Sequence, residues 1–175
     1  MKGGFFVKKI NTKMITICGF LVALNIVLST ILTIPGIISF NGFPIIFAGI
    51  VFGPLAGGIV GTIGDIISFI IRPTGVFMPH FVLTSALTGI IPGIIIRILN
   101  NNLRDLKVWQ IFVAILIGQT ITTVLMVPYF RQILFAQPFI VNFTRAVQKQ
   151  AINIPAYAVI MNILIKALYT SQVIE

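Results

Sequence analysis

Apolar residues in this chain come in long runs, not in the alternation of a half-buried strand or the narrow stripe of a soluble helix. The runs cover positions 14–33, 43–52, 55–71, 80–99, 108–127 and 139–168. All but the second reach the length of about 17–25 residues that a helix needs to cross a hydrocarbon core. The second is short, and the Gly53-Pro54 break after it makes it one arm of a tight helical hairpin with the third. The other breaks are equally local. Pro35-Gly36 and Ser39-Phe40-Asn41-Gly42 separate the first two runs, and Arg72-Pro73-Thr74-Gly75 separates the third from the fourth. A hydrophilic stretch over 100–107 precedes the fifth run, Pro128 closes it, and 129–138 is expected as a loop carrying Arg131. The last helix is expected to kink at Pro155. The pattern predicts an all-α integral membrane protein of six transmembrane helices, forming a single domain over 1–175 with an amino-terminal arm over 1–13.

Composition leaves no room for a second class. Of 175 residues, 58% are hydrophobic and 9% charged, about a third of the charged share of a soluble domain, and the mean hydropathy is +1.11. These values exclude a disordered chain, a coiled coil and a water-soluble fold. The net charge of +9 would suggest nucleic acid in a soluble protein, but cations collect in the cytoplasmic loops of membrane proteins, and no basic patch is interleaved with stacking aromatics here. Nucleic acid is therefore not an expected partner; the lipid bilayer is. With six spans and a lysine-rich arm, both termini are expected in the cytoplasm. Lys2, Lys8, Lys9, Lys13, Arg97, Arg104, Lys107 and Lys166 then lie inside. Arg72, Arg131, Arg145 and Lys149 lie toward the outside, where the positive-inside rule does not explain them.

Candidate chemistry is sparse. One cysteine (Cys18), one histidine (His80) and two internal carboxylates (Asp65, Asp105) supply neither a disulfide framework nor a metal site nor a hydrolytic constellation. No metal, no cofactor and no catalysis are expected. What stands out is the last helix: Asn142, Arg145, Lys149 and Asn153 share one face at three-four spacing, with Gln148 beside them. Charges at membrane depth are costly and usually face a cavity, so this stripe is read as an anion-binding wall, against the alternative that Arg145 and Lys149 snorkel to the headgroups. The segment Arg72 to His80 is a compact outer loop that could close as a lid, with Phe77 able to stack on a flat ring, His80 able to hydrogen-bond, and Thr84 one turn below. A tight structural turn is the alternative there. Gly53, Gly57, Gly58, Gly61 and Gly64 are spaced for close helix packing, and Asp65 is expected to give a neighbouring helix a polar cap, with a proton relay as the alternative. Gly19 and Ala23 form a second small-residue face, for which packing within the chain is the simpler expectation.

Three stretches carry a resemblance. Ala23-Leu24-Asn25-Ile26-Val27-Leu28-Ser29, Phe43-Pro44-Ile45 and the run from Phe52-Gly53-Pro54-Leu55 to Gly64-Asp65 resemble the substrate-binding S components of energy-coupling-factor (ECF) vitamin transporters. Pro73-Thr74-Gly75-Val76-Phe77-Met78-Pro79 and Leu83-Thr84-Ser85-Ala86-Leu87-Thr88-Gly89 resemble the folate-specific branch, though Thr30 stands where such members often carry arginine. The resemblance implies a six-helix fold with one vitamin held near the outer face, in the cell membrane. It implies a partner module of one transmembrane coupling subunit and two cytoplasmic ATPases, so that ATP is used by the partners and not by this chain. It implies that Gly19 and Ala23 dock on the coupling subunit, and that Arg145 and the polar start of the last helix line the pocket. Folate fits the outer cations: Arg72, Arg131, Arg145 and Lys149 would meet its carboxylates, and Phe40, Phe77 or Tyr129 would sandwich the pterin. An S component for pantothenate or riboflavin, and an autonomous channel or facilitator, are the alternatives.

Overall fold

The computed structural model describes residues 12–30, 40–73, 77–100 and 106–170, and all regular structure among them is helical. The elements are α1 (Thr12–Thr30), α2 (Gly42–Val51), α3 (Pro54–Ile71), α4 (Pro79–Leu99), α5 (Val108–Gln119), a π-helical segment (Thr120–Met126), α6 (Val127–Phe135) and α7 (Phe139–Thr170). The run from Val108 to Phe135 is one continuous rod, so the described residues form six rods, five of them long and apolar enough to span a membrane.

The sixth rod, α2, is only ten residues, about 15 Å. It is hydrophobic on every side because it is buried on every side: Pro44 through Val51 are all inaccessible. Around it, α2, α3 and α4 meet backbone to backbone. In lipid no hydrophobic force draws helices together, so close approach must come from small residues that let main chains touch. A Cβ added at Gly57 would lie 2.6 Å from the Gly49 Cα and 2.9 Å from the Gly89 carbonyl carbon. Three helices therefore cross at one glycine triad. Gly61 abuts the Ser85 carbonyl and Gly64 the Asn25 side chain. The glycine run of the sequence is a packing device, and at Gly57 its partners on α2 and α4 are glycines too.

The α2–α3 break behaves as the Gly-Pro pair requires. Gly53 has φ 115° and ψ 166°, Pro54 starts α3 where its missing N–H costs nothing, and the Arg97 guanidinium lies against the bare Cα. Gly53→Ala is expected to lower stability by about 1–3 kcal/mol, because the backbone region is essentially closed to other residues and the added methyl meets Arg97. Thermal unfolding in detergent reads this directly; an unchanged midpoint would mean the turn can relax.

One expectation fails. Pro128 does not close its span, and 129–138 is not a loop: the helix continues to Phe135. The preceding segment widens to π geometry, with Val127 N–H donating to the Thr122 carbonyl five residues back. Pro128 then falls in the first turn of α6, where it needs no amide donor. The rod ends at Ala136 in the left-handed region (φ 51°), with Gln137 N–H closing on the Arg131 carbonyl at 3.3 Å. This places Arg131 on a helix and brings it over α7.

A solute-sized chamber at one end of the bundle

At the end of the bundle where α2 and α4 begin, a cavity of about 870 Å³ opens between α2, α4, the α5–α6 rod and the first half of α7. Its volume is in the range of small-molecule sites. Asn41, Gly42 and Ile45 form one wall, and Thr84, Ser85 and Thr88 another. Gln119, Thr123 and Arg131 face them from the fifth rod, and Asn142, Arg145, Gln148, Lys149, Gln150 and Tyr157 from α7.

Packing sets these walls. The Gly64 notch admits Asn25, which is buried on α1 and donates from Nδ2 to the Asn41 carbonyl, fixing the entry of α2. On α4, the Thr84 hydroxyl donates to the His80 carbonyl at 2.9 Å and that of Thr88 to the Thr84 carbonyl at 2.9 Å. Ser85 donates to Asp65 at 3.1 Å, so the one described acid engages the side of α4 and does not cap a helix end as expected. Tyr157 is held from behind by Phe40 and Phe43, with ring centroids 5.8 Å away in each case.

The chamber is rich in positive charge. Arg131 Nη1 donates to Asn142 Oδ1 at 3.4 Å, which steadies the guanidinium over the α7 stripe. No acidic side chain pairs with Arg145 or Lys149 among the described residues. Three cations around one cavity repel each other unless something negative lies between them. An anion with more than one charged group is the complement this arrangement selects.

Of the residues singled out in the sequence, Thr84, Arg131, Asn142, Arg145, Gln148 and Lys149 are brought together here. Phe40 is one layer back, against Tyr157. Arg72, Phe77 and His80 do not line the chamber. Arg72 is exposed and reaches the Thr30 carbonyl at 3.4 Å, Phe77 packs edge-on against Phe69 at 5.2 Å, and His80 lies against Phe130 at 5.1 Å. Thr74 lies outside the described residues, as do Asp105 and the arm over 1–11. Tyr129 is exposed on the far side of its helix, so the aromatic wall is Tyr157. Sequence reasoning passed over Gln119, Thr123 and Gln150. The available signal was polarity where none is needed, namely two amides and a hydroxyl inside runs otherwise apolar enough to face lipid.

Gly19 and Ala23 do not pack against other described residues. Both are exposed on α1, and a Cβ at Gly19 would meet nothing within 4 Å. Lys13, Arg97, Lys107 and Lys166 gather at helix ends remote from the chamber, so the described cations divide between its walls, nearby Arg72 and the far end.

Fold and chamber together define a polytopic membrane protein whose described residues enclose a solute-sized cavity. The chain belongs to the family of ECF-type riboflavin transporter S components, whose family model matches residues 9–170. A folate transporter, FolT, from Clostridium novyi (strain NT) is 29% identical over 157 residues, covering 88% of this chain and 87% of the relative. The crystal structure of FolT bound with folic acid shares the fold, with a TM-score of 0.74 at 21% identity over 91% of this chain and 98% of that one.

Proposed function

We propose that this S component captures folate from the outer side of the cell membrane and delivers it to an ATP-driven ECF module, with no catalysis of its own. The observation that carries the proposal is the trio Arg131, Arg145 and Lys149 around a chamber where no acid among the described residues offsets them. Folate brings two carboxylates and a flat heterocycle. Riboflavin, the vitamin in the family's description, is neutral and brings no negative charge to offset three cations. The folate transporter among the relatives supports the same assignment.

In this reading both termini are cytoplasmic and the chamber faces outward, which agrees with the gathering of Lys13, Arg97, Lys107 and Lys166 at the opposite end. The open small-residue face of α1 at Gly19 and Ala23 docks on the transmembrane coupling subunit, and two cytoplasmic ATPases of that module supply the energy. No cofactor is held by this chain. Titration calorimetry of the detergent-purified chain tests the assignment. Saturable, one-to-one folate binding with no heat from riboflavin is the expected result; riboflavin binding without folate binding would overturn it.

A further inference from the structure

Four chamber-lining side chains of the fifth rod fall at a strict spacing of four: Gln119, Thr123, Val127 and Arg131. An α-helix does not hold such a stripe straight. Four residues turn about 400°, so the stripe would drift about 40° per step and about 120° from Gln119 to Arg131. A turn that takes up one residue more than the α ladder gives back about 100° and leaves about 20°. The seven-residue π segment, Thr120–Met126, lies between the two ends of the stripe and does this. Both flanks are indexed by α4. On one side Gly118 lies against the Pro92 ring, where an added Cβ would be 2.6 Å from Cγ. On the other the Phe130 ring lies 5.1 Å from that of His80. The chain between these contacts is one residue too long for an α ladder, and the π turn absorbs the surplus.

The local sequence holds the ladder open. Thr120 to Val124 are five β-branched residues in a row, poor α-formers because χ1 is crowded against the preceding turn. Thr122 is fully buried, and its hydroxyl donates to the Gly118 carbonyl at 2.8 Å, the acceptor that its own amide would use in an α ladder. Pro128 has no amide to return to Val124, and its ring would strike that carbonyl in an α-helix, whereas a wider turn offsets it. We propose that this π turn aims Arg131 into the chamber, with Thr122 and Pro128 as the positioning residues that hold it. In a rod that was α throughout, everything beyond Met126 would be rotated by about 100°. Phe130 would take the place of Arg131, and Arg131 would leave both the chamber and Asn142, to which it donates at 3.4 Å. This goes beyond folate capture, since it concerns where Arg131 points whatever solute the chamber takes.

A π turn amounts to one inserted residue, so deleting one residue is the decisive test. Three full-length backgrounds are compared: the wild type, Thr122→Ala with Pro128→Ala to close the ladder, and the same pair with the exposed Ile121 deleted. The deletion removes the surplus residue and returns Arg131 to its direction in a rod that is α throughout. Spin labels at Arg131→Cys and Arg145→Cys, in Cys18→Ala protein, are expected to lie several ångströms further apart in the second background than in the first. In the third they are expected to come back together. Calorimetry with folate is expected to follow. Arg131→Ala weakens binding by roughly ten- to a hundred-and-fiftyfold in the wild type, has no effect in the second background and regains its effect in the third. A merely structural loss would not be repaired by shortening the helix. Pro128→Ala alone, with and without the deletion, carries the same comparison if the pair does not purify as a single species. Equal label distances in the three backgrounds overturn the inference, as does a distance that lengthens and is not recovered by the deletion. So does an effect of Arg131→Ala on folate affinity that is equal in all three. A wild type that binds no folate overturns the folate reading alone, and the label distances still decide the aim of Arg131.

Discussion

Arg145→Ala combined with Lys149→Ala is expected to weaken folate binding by roughly several hundredfold or more while leaving the protein folded. Each side chain lines the chamber without an acidic neighbour, so neither holds the bundle together through a salt bridge. A charge-assisted hydrogen bond to a carboxylate contributes about 1.5–3 kcal/mol net, a factor of roughly ten to a hundred and fifty in affinity. Lost together, two such bonds weaken binding by roughly several hundredfold or more, short of full additivity because they share one anion. Arg145→Lys should fall between: the charge remains but the planar fork that grips both carboxylate oxygens is gone. Arg72→Ala is the control, since Arg72 is exposed outside the chamber and engages the Thr30 carbonyl instead. Calorimetry on the four proteins checks the ranking. Undiminished folate affinity in the double variant would remove the cations from the site.

The cation stripe of α7 could be read in the sequence because helical spacing alone puts Asn142, Arg145 and Lys149 on one face, whatever the rest of the fold does. The Gly53-Pro54 turn was legible for a similar reason, being decided within two residues by backbone sterics. What failed was whatever depends on a neighbour's register. Pro128 reads as a stop only if the ladder before it is α-helical; a π turn shifts the hydrogen bonds by one residue and lets the helix pass. Arg72, Phe77 and His80 are near the chamber in sequence and at the same end of the bundle, yet each side chain turns to a local partner. Gln119 and Gln150 were passed over because their meaning is mutual: Gln119 sits in a mostly apolar run and Gln150 off the stripe's three-four spacing, until the two helices bring them within 3.1 Å. A site made of pairwise polar satisfaction is a property of the packed bundle, and no periodicity in one segment reports it.

The glycines separate fold from function most sharply. Gly89→Leu is expected to prevent assembly of the bundle altogether, while Gly19→Leu is expected to leave fold and folate binding intact and stop uptake. At Gly89 an added Cβ would lie 2.5–2.7 Å from the Gly57 carbonyl carbon, carbonyl oxygen and Cα, and the Gly89 carbonyl already abuts Gly49 on α2. Those obstacles are main chain, which cannot rotate away as a side chain can. Overpacking against movable neighbours costs about 1–3 kcal/mol, and a leucine wedged against two backbones exceeds it, a large fraction of the stability of any domain. The damage also reaches the chamber, because α2 carries Asn41 to Ile45 and α4 carries Thr84 to Thr88 to its walls. At Gly19 the added side chain has open space in its own chain. Among the described residues nothing stands in its way, and the proposed coupling subunit needs a close helix approach there. Size-exclusion profiles and melting curves score the first variant, and folate uptake in cells that also express the ECF module scores the second, with Ala23→Trp as its companion. A monodisperse Gly89→Leu protein melting with the wild type would show that α2, α3 and α4 can part without loss. Normal uptake through both Gly19→Leu and Ala23→Trp would move the docking surface off α1.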